Sequence, residues 1–464
     1  MFKASDFKGK KACVLGLGKS GVAAAKLLAK KGFKVLVSEA KNADAGKFNL
    51  GKNVEIETNG HTDKIFDCAF IVKSPGMPGH APVLLKAKRK GIKIFSETEV
   101  AVSFIPKSAK IIAITGTNGK TTTTMLTAAV FRQHCKDKKN GKKVFMAGNV
   151  GDPLSNYADK IKSGDYVVAE LSSYQLEDSI FFKPRAAAVL NITPDHIDHH
   201  GSFERYMAAK KKIFKFQNSS DFAIINGADE NCLGITKRIK SKVMCFATTP
   251  QHKARAHVFY DGDELVFSSG TALKPPKLLG IHNVENAMAA ALLAIVMGVG
   301  AASIQRAFNN FKGVTHRIEE FLVYKGIRCI DDSKATNVES TVIALRAMPD
   351  EQNIWLILGG RDKGMPYDIL GPLIEKKCRG VLTVGEASPK IRADLSFYPD
   401  IFDCGIIDNA VKYVFENGAA GDILLLSPAC ASFDQFKNFE ERGKYFKKVC
   451  RALAGAEENC AAVK

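Results

Sequence analysis

Ile111 to Thr124 reads Ile-Ile-Ala-Ile-Thr-Gly-Thr-Asn-Gly-Lys-Thr-Thr-Thr-Thr, an apolar run that enters a glycine turn, a lysine and a row of hydroxyls. The pattern predicts a strand, a tight loop and a helix, the unit from which parallel sheets are built. It also predicts a phosphate cradle. Gly116 and Gly119 can adopt backbone angles closed to other residues, Lys120 supplies a cation and the Thr121 hydroxyl suits Mg2+. The helix that opens there directs its positive end at the same anion. The general phosphate-loop pattern has one more glycine, at the position of Ile114, so this is a shorter Gly-x-x-Gly-Lys-Thr variant. The plain alternative is a glycine turn that caps a buried helix.

Similar β-α alternations run along the whole chain and predict an α/β protein. Ala12 to Gly21 is a strand entering Gly-x-Gly-x-x-Gly; an alanine-rich helix and the strand Lys34 to Ser38 follow, ending at Glu39. That is a Rossmann-type start, suited to a dinucleotide or to the diphosphate and ribose of a nucleotide sugar. A second strand, Ala69 to Lys73, leads into Ser74-Pro-Gly-Met-Pro-Gly79 beside the same crevice. At 464 residues about three domains are expected. The pattern breaks at Pro106 and again near Lys312 to Thr315, giving 1–105, 106–313 and 314–464. The expected architecture is a Rossmann-like N-terminal domain, a central P-loop ATPase-type domain and a Rossmann-like C-terminal domain.

In the central part, Asp165-Tyr-Val-Val-Ala-Glu170 is a strand ending on a carboxylate, where P-loop enzymes often hold Mg2+. Another strand, Ala186 to Ile192, runs into Thr193-Pro-Asp-His-Ile-Asp-His-His200. His196 is the candidate metal ligand there, with His199 and His200 expected in solvent. Phe203 to Phe216 has helical periodicity, and periodicity alone assigns Lys210, Lys211 and Lys212 to a wet face.

The net charge of +19 attracts polyanions, but the lysines lie on helix-like segments such as Lys86 to Lys93 and Lys136 to Lys143 without interleaved aromatics. Solvated helix faces are expected, and no nucleic-acid surface. Eleven cysteines without a Cys-x-x-Cys pair predict reduced, packed thiols and no zinc site. The longest apolar stretch, Ala287 to Gly300, is short of the ~20 residues that span a bilayer. A cytoplasmic protein, and a monomer, is expected.

Gly116-Thr-Asn-Gly-Lys-Thr121, Glu170-Leu-Ser-Ser, Asp195-His196, Ala208-Ala-Lys210, His282-Asn-x-x-Asn286, His316-Arg317 and Asp331-Asp-Ser-Lys-Ala-Thr-Asn337 together resemble the Mur ligase family. Leu358-Gly-Gly with Lys363, and Ser427-Pro-Ala-Cys-Ala-Ser-Phe-Asp-Gln-Phe-Lys-Asn-Phe439, resemble its D-glutamate-adding members. The resemblance implies an ATP-dependent ligase that adds D-glutamate to UDP-N-acetylmuramoyl-L-alanine through an acyl phosphate, for peptidoglycan synthesis. It implies ATP on Gly116, Thr117, Asn118, Gly119, Lys120, Thr121 and Thr122, with Asn283, Asn286, Arg317 and Asp332. Two Mg2+ ions fall to Thr121, Glu170, His196 and Lys210, the last carrying a CO2-derived carbamate; Lys120, His196 and Lys210 are the catalytic set. The UDP substrate falls to Gly18, Lys19, Ser20, Gly21, Ser38, Glu39, Ser74 and Asn149, and D-glutamate to Lys334, Thr336, Lys363, Ser432 and Phe439. Ser38-Glu39-Ala40 and Arg361-Asp-Lys-Gly-Met-Pro depart from the family pattern.

Three rival readings account for parts of the chain. A nicotinamide-dependent dehydrogenase explains Gly16 to Glu39 but leaves the phosphate loop and the last domain unused. A basic, non-catalytic nucleotide-binding protein has no use for Glu170, His196 and Lys210 together. A sister ligase adding another amino acid is the alternative within the family.

Overall fold

A computed structural model describes residue 7 and residues 9–149 and 151–461, in an α/β fold with three sheets. The first sheet orders its strands Val54–Glu57, Lys34–Ser38, Lys11–Leu15, Phe70–Lys73 and Lys93–Ser96, all parallel. Its central strand is buried on both faces, which is why Ala12 to Leu15 is continuously apolar instead of alternating. The helix Lys19–Lys30 packs on it through Ala24, Ala25 and Leu28, small side chains that let helix and sheet approach closely.

The second sheet has nine strands. From Lys242–Ala247 it runs through Phe222–Asn226, Ala186–Val189, Lys110–Thr115 and Tyr166–Glu170 to the edge strand Val144–Gly148, again parallel; antiparallel pairing appears at Val258–Tyr260, Leu265–Phe267 and Ala272–Leu273. The apolar stretch noted above becomes part of the helix Ile281–Val296, in which every residue from Ala287 to Ala294 is buried. A helix apolar on all sides needs cover on all sides. Leu126, Phe131 and Phe308 belong to the core that supplies it.

The third sheet orders Glu319–Tyr324, Ile327–Asp331, Ile423–Leu426, Ile354–Gly359, Cys378–Val384 and Ile401–Gly405, with the first strand antiparallel. The helix Phe439–Ala461 joins its core through Phe446, Val449 and Cys450.

Two lysine-rich stretches are shorter helices than their periodicity suggests. The helix Pro82–Arg89 stops before Gly91, at φ +71°, and Lys93 already begins a strand. The helix Lys120–Lys138 stops where Lys139 and Gly141 turn left-handed. The ten cysteines whose side chains are described are all unpaired, and all but Cys404 are buried. Among the described residues no helix is long and apolar enough to cross a membrane. The fold forms two compact units: Met1–Lys277 with Asn283–Phe311, holding the first two sheets, and Leu278–His282 with Lys312–Lys464, holding the third.

Candidate active site

The glycine turn expected to cradle phosphate sits at the carboxyl end of Lys110–Thr115, in the strand, loop and helix that the sequence predicts. Gly119 takes φ +81° and caps the helix Lys120–Lys138. A Cβ there would lie 2.3 Å from Asn286 Oδ1, so both backbone and space demand glycine. Asn286 is buried and works inside the protein: its Oδ1 accepts from Thr123 Oγ1 at 3.0 Å and its Nδ2 donates to Asn283 Oδ1 at 3.1 Å. Asn118 N donates to Asn191 Oδ1 at 2.8 Å, while Thr117 Oγ1 meets Tyr206 Oη at 2.9 Å and the Thr193 carbonyl at 3.2 Å. Thr121 and Thr122 are buried in the first turn.

Lys120 folds back over this loop and donates to the carbonyls of Gly116 at 2.9 Å and Thr117 at 2.6 Å. Lys210 is placed against the wet-face expectation. It is 1% exposed, its Nζ donates to the same Gly116 carbonyl at 2.7 Å, and it stands 4.6 Å from the Tyr206 ring centre. Burial, and next the Lys120 charge, hold its amine well below the usual lysine range. Periodicity failed here because the helix Phe203–Lys211 is covered on the side it predicted to be wet. Lys211 and Lys212 spend their ammonium groups on the carbonyls of Lys237 and Glu177.

Glu170 ends the neighbouring strand, 1% exposed. Its Oε1 accepts from Asn149 Nδ2 at 2.9 Å, and its buried Oε2 has no hydrogen-bond partner among the described residues. His196, half-exposed at φ +52°, caps the short helix Ile197–His200. The other two imidazoles correct the expectation of solvent. His200 is buried with Nε2 3.0 Å from Ser173 Oγ, and His199 Nε2 pairs with Glu177 Oε2 at 3.0 Å. Their partners lie more than twenty residues upstream, on the far side of another strand, so local sequence gave no sign of them.

In the first sheet, Gly18 to Gly21, Glu39 and Ser74 follow the carboxyl ends of three adjacent strands. Glu39 Oε2 accepts from Leu17 N at 2.8 Å, and that amide holds its carboxyl below the usual range. Glu39 therefore also ties down the glycine loop. Ser38 is fully buried, its Oγ donating to Glu57 Oε1 at 2.6 Å with His61 Nδ1 at 2.7 Å. The Ser74 hydroxyl is buried without a hydrogen-bond partner among the described residues. Lys19 and Ser20 open the helix Lys19–Lys30.

In the third sheet, loops after Ile327–Asp331, Ile423–Leu426 and Ile354–Gly359 emerge from three adjacent strands. They carry Lys334 and Thr336, Ser432 with Phe439, and Lys363. Backbone bonds between Arg361 and Ala431 join two of them, and Ser333 Oγ donates to the Phe439 carbonyl at 2.8 Å. Lys334 Nζ lies 5.7 Å from the Phe439 ring centre; Ser432 is buried and Lys363 exposed. Arg442, which no sequence motif singled out, is the buried clasp: Nε reaches Ser333 Oγ at 3.0 Å, and Nη2 reaches the carbonyls of Ser333 at 2.9 Å and Cys430 at 3.1 Å. Burial pushes the Asp332 carboxyl up to about 7 despite the opposing Arg317 charge, and burial lowers His282 to about 4.

Comparison with known proteins agrees in order along the chain. The model for the Mur ligase MurD-like N-terminal domain matches residues 10–96, that for the Mur ligase middle domain 114–294, and that for the Mur ligase glutamate ligase domain 316–430. The UDP-N-acetylmuramoylalanine–D-glutamate ligase of Elusimicrobium minutum is 61% identical over 98% of this chain and 100% of its own. The ligase of the same name from Koribacter versatilis is 40% identical over the same shares. Among solved structures, MurF ligase from Thermotoga maritima in complex with ADP aligns at TM-score 0.61 with 15% identity, covering 98% of each chain, a likeness of fold alone. Three family models in the order of the three sheets, and a relative this similar end to end, establish that the chain belongs to the Mur ligase family.

Proposed function

We propose that the chain joins D-glutamate to UDP-N-acetylmuramoyl-L-alanine with ATP, in cytoplasmic peptidoglycan precursor synthesis. The observation that carries this reading is the end-to-end likeness to ligases of that name. A carboxylate does not condense with an amine in water without activation. In the proposed reaction the L-alanyl carboxylate takes the γ-phosphoryl group as the β–γ bond breaks. The D-glutamate amine then attacks the acyl carbon, the C–O bond to phosphate breaks, and the amine proton is lost.

The residues fit these tasks. Phosphate-loop amides and Lys120 hold the polyphosphate, and Lys120 offsets charge on the moving phosphoryl group. Asn283 and Asn286 of the first compact unit are assigned to ATP, and in the second so are Arg317 and Asp332. A buried carboxylate with one unsatisfied oxygen, Glu170, fits a divalent cation, with Thr121 and His196 as further ligands. Two Mg2+ ions, when bound, would withdraw charge from the phosphoryl oxygens. Lys210 fits a carbamate: an amine held neutral by burial is the form that captures CO2, and one N–H remains for the Gly116 carbonyl.

Gly18, Lys19, Ser20, Gly21, Ser38, Glu39 and Ser74 are assigned to the UDP end of the substrate and Asn149 to its muramoyl-alanyl arm. Lys334, Thr336, Lys363, Ser432 and the Phe439 backbone are assigned to the two carboxylates of D-glutamate. The domains are placed at 1–105, 106–313 and 314–464, and the enzyme is taken as a monomer, which sedimentation would check. The decisive experiment is phosphate release from ATP with a panel of UDP-muramoyl acceptors and amino acids. Release with UDP-N-acetylmuramoyl-L-alanine and D-glutamate, and none with L-glutamate or L-alanine, is expected. Equal turnover with L-alanine would transfer the chain to a sister specificity.

A further inference from the structure

A cavity of about 970 Å3 opens at the amino ends of the central strands, away from the phosphate loop. Lys110 and Arg185, which line it, stand at the starts of Lys110–Thr115 and Ala186–Val189, whose far ends carry the loop. At 3.3 Å per residue the two ends of Lys110–Thr115 are roughly 17 Å apart. The volume is that of a small-molecule site.

The lining has three parts. Val102, Ile105, Ile111, Phe182, Val296 and Met297 make it apolar within. Lys107, Lys110, Lys183 and Arg185 bring four cations, against Asp221, which pairs with Lys183 at 3.2 Å and with Arg185 at 3.1 Å. Lys107, Lys110 and Arg185 are exposed, so the cations mark the mouth. The inner end holds Glu99, 4% exposed. Its Oε1 accepts the amides of Ile180 at 2.5 Å, Phe182 at 3.0 Å and Phe181, and burial outweighs these donors, raising the carboxyl above its usual range. Its Oε2 is buried with no hydrogen-bond partner among the described residues. A polar atom left so is uncommon in a native fold, and a donor from an occupant would satisfy it.

We propose that this cavity is a second ligand site, which takes an amphipathic anion: a carboxylate or phosphate head at the lysine-arginine mouth, an apolar body, and a hydrogen-bond donor that reaches Glu99 Oε2. Glu99 belongs to the helix Glu97–Ser103, which follows the first sheet, and its amide donors belong to the segment before Ala186 of the second. An occupant therefore touches both sheets' elements and stiffens their junction.

The test uses the full-length protein and calorimetric titration with 10-hydroxydecanoate, decanoate and 1,10-decanediol. One mole of 10-hydroxydecanoate is expected to bind per chain, unaffected by saturating ADP. Decanoate should bind about fivefold more weakly, the worth of one hydrogen bond, and the diol at least tenfold more weakly for want of a charge. Ser103→Trp, which fills the cavity, should abolish binding. The surface double variant Lys107→Glu/Lys183→Glu should weaken the hydroxy acid at least tenfold without touching the core. Equal affinity for the diol, undiminished binding in either variant, or displacement by ADP would overturn the proposal.

Discussion

Replacing Lys210 by alanine removes the most telling side chain of the central site. The structural loss is modest. Three buried methylenes at ~0.8 kcal/mol each, and an acceptor on Gly116 left with one donor fewer at about 1 kcal/mol, are partly offset because the cost of burying the amine is removed. A destabilisation of about 3 kcal/mol at most follows, and the variant should fold. The catalytic loss is larger. An anionic group that holds cations beside the transferring phosphoryl contributes on the order of 10²- to 10³-fold in rate. Phosphate release should fall by that factor, and formate or acetate should restore part of it by standing in for the carboxylate of the proposed carbamate. Incubation of the native enzyme with ¹³C-labelled bicarbonate should give a carbamate resonance that Lys210→Ala lacks. Acidification through the depressed amine pKa should erase the signal, because a protonated amine cannot attack CO2. Lys211→Ala should stay active, since its ammonium bonds only the Lys237 carbonyl in a turn outside the site. A fully active Lys210→Ala enzyme, or a dead one with no rescue and an unchanged resonance, would refute the reasoning.

Lys120→Ala should abolish acyl-phosphate formation, with a loss of about 10²-fold or more in rate, while calorimetry shows nearly unchanged affinity for the UDP substrate. Gly119→Ala should lose nucleotide affinity and about 1–3 kcal/mol of stability, read by denaturant unfolding, because φ +81° and the Asn286 oxygen both exclude a Cβ. His282 is lowered from 6.5 to about 4, so the folded state binds fewer protons than the unfolded one between those values. Stability should rise with pH from about 4 to 6.5, and His282→Gln should flatten that rise by about 1–2 kcal/mol after allowing for partial exposure. Arg442→Met should cost about 3–5 kcal/mol, since it strips a buried donor set from Ser333 and Cys430, and thermal unfolding would show it.

What the sequence revealed was what local chemistry dictates. A strand that runs into Gly-x-x-Gly-Lys-Thr has one way to turn, and Gly119, Lys120 and Thr121 stand where that pattern puts them. Glu170 likewise ends its strand as read. The misses are long-range. His199 and His200 look solvated until Glu177 and Ser173 arrive from a different strand connection. Lys210 looks wet by periodicity because only tertiary packing brings Tyr206 and Gly116 against it. Arg442 sits in no recognisable motif, since its four acceptors are mostly backbone carbonyls, which every sequence possesses. Glu99 was hidden for the same reason: its partners are amides.

The Gly116 carbonyl accepts from two lysines at once, the Lys120 ammonium and the buried Lys210 amine. A carbonyl oxygen has two lone pairs, so both are occupied. Were a polyphosphate to draw Lys120 away, as the proposed function requires, that acceptor and the penalty that the Lys120 charge places on protonating Lys210 would change together. Linkage makes the exchange mutual: conversion of Lys210 to an anion must alter the affinity for nucleotide by the same factor by which nucleotide alters CO2 uptake. With the proposed carbamate on Lys210, dissolved inorganic carbon would enter the apparent nucleotide affinity as a hidden variable, and titrations made in degassed and in bicarbonate buffers should trace separable isotherms.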